Sequence, residues 1–298
     1  MSRIAKYQQS YRQALETLKN NDDVLAVFVF GSMVSGDLWE KSDIDFFVVV
    51  KKWAPGITNV YSNETGERIH YKVLSRKEFM ALKGFDLKGS FMHRLFAGSR
   101  MVLCRDSAIE ERFLTGRGYP DVSRNIWTLA YVGKVIKGTD SVRKSLTMGN
   151  VYAAYQTLMD TMNWVAMVLI NERGYMVSKD NINIATALDD EFRLVFSQLT
   201  DPSPTPLSDR VRRVVDWILE SLDRDLMHLS KVLLQYLSEH EEPRSAREIQ
   251  EDPLFFPYHI EVEAILSLLY ENKFLKRSVR SLNTPGGSFL IRENVYSL

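Results

Sequence analysis

The stretch Val24–Val50 reads VLAVFVFGSMVSGDLWEKSDIDFFVVV, and its reading decides the fold. Val24 to Phe30 is a short apolar run rich in β-branched and aromatic residues, and it ends at Gly31-Ser32. That combination predicts a buried strand running into a tight turn. After a polar loop, Asp43 to Val50 predicts a second buried strand. Two acids, Asp43 and Asp45, interrupt a run otherwise built for burial. Residues two apart on a strand share a face, so the two carboxylates point the same way, about 7 Å apart along the backbone. Converging carboxylates suit a hard divalent cation such as Mg²⁺, which takes oxygen ligands and keeps company with phosphates. The glycine of the Gly31-Ser32 turn lets backbone approach a phosphate, and the serine hydroxyl and nearby N–H groups can donate to it. A phosphate cradle beside a metal pair is what in-line transfer of a nucleotidyl group needs.

Outward from this block, residues 3–20 place Ile4, Tyr7, Tyr11, Ala14, Leu15 and Leu18 at helical spacing. Pro55-Gly56 and the run 63–66 (NETG) mark turns around a connecting stretch. Residues 67–74 alternate, with Arg68, His70 and Lys72 on one face and Ile69, Tyr71 and Val73 on the other, which predicts a strand. Ser75 with Glu78 has the spacing of a capping box that opens a helix. A helix around 89–97 and a strand at 99–104 complete an α/β unit. From about 107 the strand signal disappears. Helical periodicity covers 121–137, 141–173, 189–199 and 208–238, with Pro202, Pro204 and Pro206 separating the last two, and this predicts a bundle. Near 229 a third section begins. It consists of a helix (229–239), a short helix opened by Ser245 and Glu248, a helix (259–272) and two strands (274–282 and 288–296) joined by NTPGG at 283–287. Helix, helix, helix, hairpin is a winged-helix order.

The Gly31-Ser32 turn followed by Asp43-Ile44-Asp45 resembles the signature of the polymerase-β-like nucleotidyltransferase superfamily. The run 68–79 (RIHYKVLSRKEF) looks like the next strand and helix of that domain. The run 90–99 (SFMHRLFAGS) with 101–103 (MVL) resembles the small bacterial members that modify antibiotics. The resemblance covers residues 22–105 and, more loosely, 120–200. It implies an α+β protein: a mixed-sheet nucleotidyltransferase domain (1–106), a helical bundle on the acceptor side (107–228) and a small winged-helix-like domain (229–298). It further implies that Asp43 and Asp45 hold the metal, with Mg²⁺ as cofactor. Gly31 and Ser32, with Lys72 and Arg94, would serve the nucleotide. The implied reaction moves a nucleoside monophosphate from a nucleoside triphosphate, ATP first among them, to a hydroxyl of a small-molecule acceptor held between the first two domains. An aminoglycoside or lincosamide is the acceptor type the resemblance suggests.

Active members of that superfamily usually carry a third carboxylate on the next strand, to assist the metal or take the hydroxyl proton. The alternation puts His70 at the equivalent position, with Arg68 and Lys72 on its face and Glu67 pointing away. Three readings follow. His70 is itself the catalytic base or a metal ligand; an acid of the helical part, such as Asp160 or Glu172, supplies the base; or the chain binds a nucleotide or other ligand as a sensor without turning it over.

Composition narrows the partners. The formal net charge is zero, so no global field draws the protein onto nucleic acid or an anionic membrane. From Lys231 onward there are eight basic residues against ten acids, and the helix at 259–272 carries Glu261, Glu263 and Glu271. A DNA-binding winged-helix regulator is therefore the weakest reading, and a packing or homodimerisation module suits this section better. Basic residues Lys134, Lys137, Arg143 and Lys144 read as a solvated helix face, and Tyr152, Tyr155, Met159 and Trp164 as core packing. The single cysteine, Cys104, excludes an intrachain disulfide. The run from Trp164 to Ile170 is too short to cross a bilayer, and the polar start does not resemble a signal peptide, so the expected location is the cytoplasm.

Overall fold

The computed structural model describes residues 3–36, 39 and 42–298. The chain divides into two compact units, Met1–Pro120 and Asp121–Leu298.

The first unit is built on the apolar strands of the opening stretch. In chain order its elements are α1 (Arg3–Lys19), β1 (Val24–Phe30), α2 (Ser32–Ser35), β2 (Ile44–Val50), β3 (Thr58–Ser62), β4 (Ile69–Ser75), α3 (Arg76–Met80), α4 (Lys83–Asp86), α5 (Phe91–Ala97), β5 (Arg100–Cys104) and α6 (Ser107–Gly116). The sheet has the order β3-β4-β2-β1-β5. β2 and β4 run parallel, and every other pairing is antiparallel, so the sheet is mixed. Both central strands bury both faces, and this is why β1 and β2 read as continuous apolar runs. Alternation sorts their side chains into two cores. Val27, Val29, Ile44, Phe46 and Val48 pack with Tyr7, Ala14 and Leu15 of α1. Phe28, Phe47 and Val49 turn the other way, onto Phe79, Phe96, Ile109 and Phe113 of the short helices. Phe28 is the hub of that second core, with ring centroids of Phe79, Phe96 and Phe113 at 5.7, 5.4 and 4.8 Å.

β3 is an element that the sequence presents as a connecting stretch. It lies at the sheet edge with no fully buried residue, so it carries none of the alternating burial that announces a strand. Ser75 caps α3 by accepting from the Glu78 N–H at 3.2 Å.

The second unit comprises α7 (Asp121–Thr147), α8 (Val151–Glu172), α9 (Asn181–Leu188), α10 (Asp190–Thr200), α11 (Leu207–Leu229), α12 (Lys231–Ser238), α13 (Ala246–Glu251), α14 (Val262–Glu271), β6 (Lys276–Asn283) and β7 (Phe289–Ser297). The break expected after 137 falls ten residues later. α7 runs through Gly138 to Thr147, and the chain turns at Gly149, which has φ +75°. Gly138 is inside a helix for a packing reason. A Cβ there would stand 2.3 Å from Thr161 Oγ1 of α8, so glycine is what lets α7 and α8 pack closely. The expected 208–238 helix is two helices meeting at Ser230. One core joins residues of α7, α8, α11, α12 and α14 with Tyr296 of β7. The backbone of Tyr296 exchanges two hydrogen bonds with Arg244, 2.9 and 2.8 Å, tying the hairpin to the loop before α13. Among the described residues, no helix is long and apolar enough to cross a membrane.

Candidate active site

Asp43 and Asp45 sit at the head of β2, and three neighbouring segments fix them there. The first is the turn after β1. Gly31 has φ +68°, and a Cβ at that position would lie 2.6 Å from Asp45 Oδ2. Only glycine permits both the left-handed backbone and the approach of the Asp45 carboxylate. Gly31 leads directly into the four-residue helix α2, which begins at Ser32. The second segment is the loop end before β2. Ser42 N–H donates to the Trp39 carbonyl at 3.1 Å, the Trp39 N–H donates to Ser42 Oγ at 3.0 Å, and the hydroxyl of Tyr7 donates to the Ser42 carbonyl. The acid pair therefore leaves an anchored turn.

The third segment is the parallel partner, β4, whose register sets Asp45 beside His70. Nδ1 of His70 lies 3.0 Å from Asp45 Oδ1. Both side chains are largely buried, 13% and 21% exposed. The other ring nitrogen, Nε2, lies 2.9 Å from Asn59 Oδ1 on β3. Lys72 Nζ donates to the same Asn59 oxygen at 2.8 Å. An ammonium group has only donors, so the Asn59 atom it meets is the carbonyl oxygen, and the Nε2 facing that oxygen carries a proton. This leaves Nδ1 as the nitrogen that shares or releases a proton toward Asp45. Tyr61 stacks on the imidazole, with centroids 4.6 Å apart and planes 10° from parallel. On the other side of the pair, Arg68 Nε stands 3.1 Å from Asp43 Oδ1. The alignment there is not that of a hydrogen bond, and Asp43 Oδ1 is a buried oxygen without one.

The electrostatics follow. Burial pushes the Asp45 carboxyl above the ordinary carboxylate value, and the like charge of Asp43 adds to the rise. The hydrogen bond and charge of His70, then the charge of Lys72, oppose it. Desolvated acids with a buried oxygen lacking a hydrogen-bond donor suit a hard cation that brings its remaining ligands as water and phosphate oxygens. Asp43 and Asp45 are the residues that fit such an ion. Among the described residues, no cluster of three His, Cys, Asp or Glu side chains has the arrangement of a self-sufficient metal cage.

Most of the residues singled out from sequence are thus gathered at one place: Gly31 against Asp45, Asp43 and Asp45 on one strand end, and His70 and Lys72 on the next strand. Ser32 follows Gly31 as the first residue of α2. Arg94 is engaged in its own turn, donating from Nη1 to the Gly89 carbonyl at 2.6 Å. Its neighbour His93 is fully buried and structural, accepting the Gly89 N–H on Nδ1 at 3.0 Å and donating from Nε2 to the Gly118 carbonyl at 2.9 Å. Of the alternative acids, Glu172 lies in the second unit and meets Thr128 and His228 at 3.0 and 2.6 Å. Asp160 is an exposed residue of α8. Lys134, also in the second unit, is paired with Glu261 at 2.8 Å. The sequence reading missed Asn59 and Tyr61 because it missed β3. The signal was present: Thr58 to Ser62 holds β-formers between two turn motifs, with Asn59 and Tyr61 on one side of the alternation.

Comparison with known proteins agrees with this geometry. No curated protein matches the chain. A crystal structure of a nucleotidyltransferase-like protein from Exiguobacterium sibiricum superposes with a TM-score of 0.68, covering 97% of this chain and 98% of that one at 14% identity. At that identity the likeness establishes the fold along the length of the chain. Residues 12–108, which contain β1 through β5 and the Asp43–Asp45 pair, match the family described as Polymerase beta, Nucleotidyltransferase, about a third of the chain and most of its first unit.

Proposed function

We propose that this chain transfers a nucleoside monophosphate from a nucleoside triphosphate, ATP first among them, to a hydroxyl group of a small-molecule acceptor, and that it depends on Mg²⁺. The observation that carries this reading is the meeting of Gly31, Asp43, Asp45 and His70 at the ends of β1, β2 and β4. Asp43 and Asp45 would hold the metal, which when bound supplies charge neutralisation for the triphosphate. Ser32 and the amides that open α2 follow the Gly31 turn, where backbone N–H groups can donate to phosphate oxygens. In the transfer, the acceptor oxygen forms a bond to the α-phosphorus, the bond from that phosphorus to the bridging oxygen breaks, and pyrophosphate leaves. The acceptor proton needs a base. His70 occupies the strand position next to Asp45, and in this reading it is the base.

A second reading rests on the same residues. Arg68 stands against Asp43 and His70 against Asp45, so both acids already have cationic or imidazole company. A nucleotide or ligand sensor without turnover is consistent with that arrangement. The final elements, α12, α13, α14 and the β6–β7 hairpin, support a winged-helix-like packing or dimerisation module. Glu263 of α14 accepts from the Tyr296 hydroxyl at 2.8 Å, a role in packing and one that would repel phosphates from this helix.

Isothermal titration of ATP and GTP with Mg²⁺, on wild type and on Asp43→Asn/Asp45→Asn, tests the site. Metal-dependent binding lost in the double variant supports it, and pyrophosphate release with an acceptor separates the enzyme from the sensor. Absence of binding to wild type at about millimolar nucleotide, a common upper limit for substrate affinities, would overturn both readings.

A further inference from the structure

We propose that the second unit contains a binding site for an organic ammonium ion carrying a short aliphatic or aryl tail. The site is a hollow of about 310 Å³ among α7, α8 and α11, at the small end of the range for ligand pockets. Its floor is apolar, formed by Val132 and Val135 of α7, Val165, Val168 and Leu169 of α8, and Leu222 of α11. Val165, Val168 and Leu169 remain partly exposed where the hollow opens, so apolar surface there awaits cover.

The rim supplies the charge preference. Four carboxylates line it, those of Glu172, Asp189, Glu191 and Asp225. Two are balanced by guanidinium groups. Asp189 meets Arg173 at 3.3 Å and also caps α10 through the Phe192 N–H at 2.9 Å, while Asp225 meets Arg224 at 3.4 Å. Among the described residues, Glu172 and Glu191 have no guanidinium or ammonium partner. Glu172 Oε1 accepts from Thr128 at 3.0 Å and its Oε2 meets the His228 imidazole at 2.6 Å. Glu191 Oε1 accepts the indole N–H of Trp217 at 2.7 Å. Each of these oxygens keeps a second lone pair for a further donor. Glu172 also ends α8, where the carbonyl ends of the helix favour positive charge.

Trp217 adds an aromatic side chain to the lining, and an indole ring attracts a cation over its face. Ser221, on the same helix, lines the hollow with a buried Oγ that has no hydrogen-bond partner, a point where an N–H donor would be accepted. An apolar floor, a rim whose carboxylates outnumber its guanidinium groups and an orphaned hydroxyl oxygen together select a tail with an ammonium head. A carboxylate ligand would meet repulsion, and a neutral one would leave the rim unused. The site lies within the second unit and is independent of the nucleotide chemistry proposed for the first.

The test uses the full chain and three probes of like size: 2-phenylethylammonium, 2-phenylethanol and 3-phenylpropionate, titrated against Trp fluorescence and by calorimetry. The amine should bind roughly tenfold more tightly than the alcohol, since about 1.4 kcal/mol of head-group contact corresponds to that ratio, and the propionate least. Glu172→Gln/Glu191→Gln, at the open rim, should bring amine binding down to the level of the alcohol. Val168→Trp should abolish binding of both with the melting temperature retained. Equal affinity for the three probes overturns the proposal, as does amine binding that survives both variants or no amine binding to wild type at about 10 mM, a concentration ten times the usual upper range for specific small ligands. Asp45→Asn should leave amine binding unchanged, so a failure of the nucleotide site and a failure of this one remain distinguishable.

Discussion

His70 stands directly beside Asp45 across the parallel β2–β4 pairing, ring nitrogen to carboxylate oxygen at 3.0 Å. The position next to the Asp43–Asp45 pair, where the resemblance calls for a third carboxylate, thus holds an imidazole with an assigned donor side. The substitution of a base for an acid changes what the site asks of a metal and of a proton, and this can be measured.

Replacing His70 by Asp should return a third carboxylate to the pair and tighten Mn²⁺ or Mg²⁺ binding by about tenfold, on the scale of one added charge contact. His70→Ala should leave nucleotide binding within a few-fold but lower turnover by about 10²- to 10⁴-fold if His70 is the base. Calorimetric metal titration and a pyrophosphate-release assay read the two effects separately. Full turnover in His70→Ala would remove His70 from the mechanism.

Asp45 predicts a conflict between stability and chemistry. Its carboxyl is raised above its ordinary value near 3.8, chiefly by burial. The folded state therefore binds this proton more tightly than the unfolded chain does. Stability falls as pH rises from about 3.8 through the raised value, and stays at the lower level above it. Asp45→Asn removes that cost and keeps an oxygen acceptor for His70. The variant should gain on the order of 0.5 kcal/mol at pH 7 and lose metal-dependent nucleotide binding. Denaturant melts at pH 7 against pH 4 check it: the advantage should shrink at the lower pH.

Gly31→Ala should be costly out of proportion to one methyl group. The residue has φ +68°, and the new Cβ would lie 2.6 Å from Asp45 Oδ2. Left-handed strain together with displacement of the carboxylate should destabilise the first unit by about 1–3 kcal/mol. In Gly31→Ala/Asp45→Ala the clash is gone and only the backbone cost remains, so the two substitutions should be non-additive in a double-mutant cycle.

His93 should make the first unit sensitive to mild acid. Burial holds its imidazole below the ordinary histidine value of 6.5, and the hydrogen bonds to Gly118 and neighbouring carbonyls oppose this only in part. The unfolded chain thus binds this proton first. Stability is at its full level above about 6.5 and declines as pH falls below it. His93→Gln should cost about 1–2 kcal/mol at pH 7.5 through imperfect hydrogen bonds, yet show a shallower decline between pH 7.5 and 5.5. Parallel slopes in melts of the two proteins would contradict this.

Much of the fold was legible because burial on both faces leaves a strong imprint. β1 and β2 are apolar at nearly every position, and the only polar residue within β2 is Asp45. His70 and Lys72 were legible through the alternation of β4. What stayed hidden has a common physical cause: the information lay in a neighbour distant along the chain. β3 pairs with β4 through backbone hydrogen bonds and buries little, so Asn59 and Tyr61 gain their roles only from the pairing. Gly138 looks like a helix terminator in isolation, but it is a contact point for Thr161. Arg94 was chosen for its charge, while its carbonyl partner, Gly89, is a matter of local turn geometry.

The alternation of β2 between two cores also acts as a proofreader of strand alignment. Ile44 and Phe46 belong with α1, while Asp45, between them, faces the opposite side. A slip of one residue against β1 or β4 would drive a carboxylate into the packing of α1 and press Ile44 and Phe46 onto the face of the other core. The acid at the centre of the proposed site is also among the residues that penalise misalignment. A library varying Ile44 to Phe47 would therefore meet selection for correct pairing before any selection for activity.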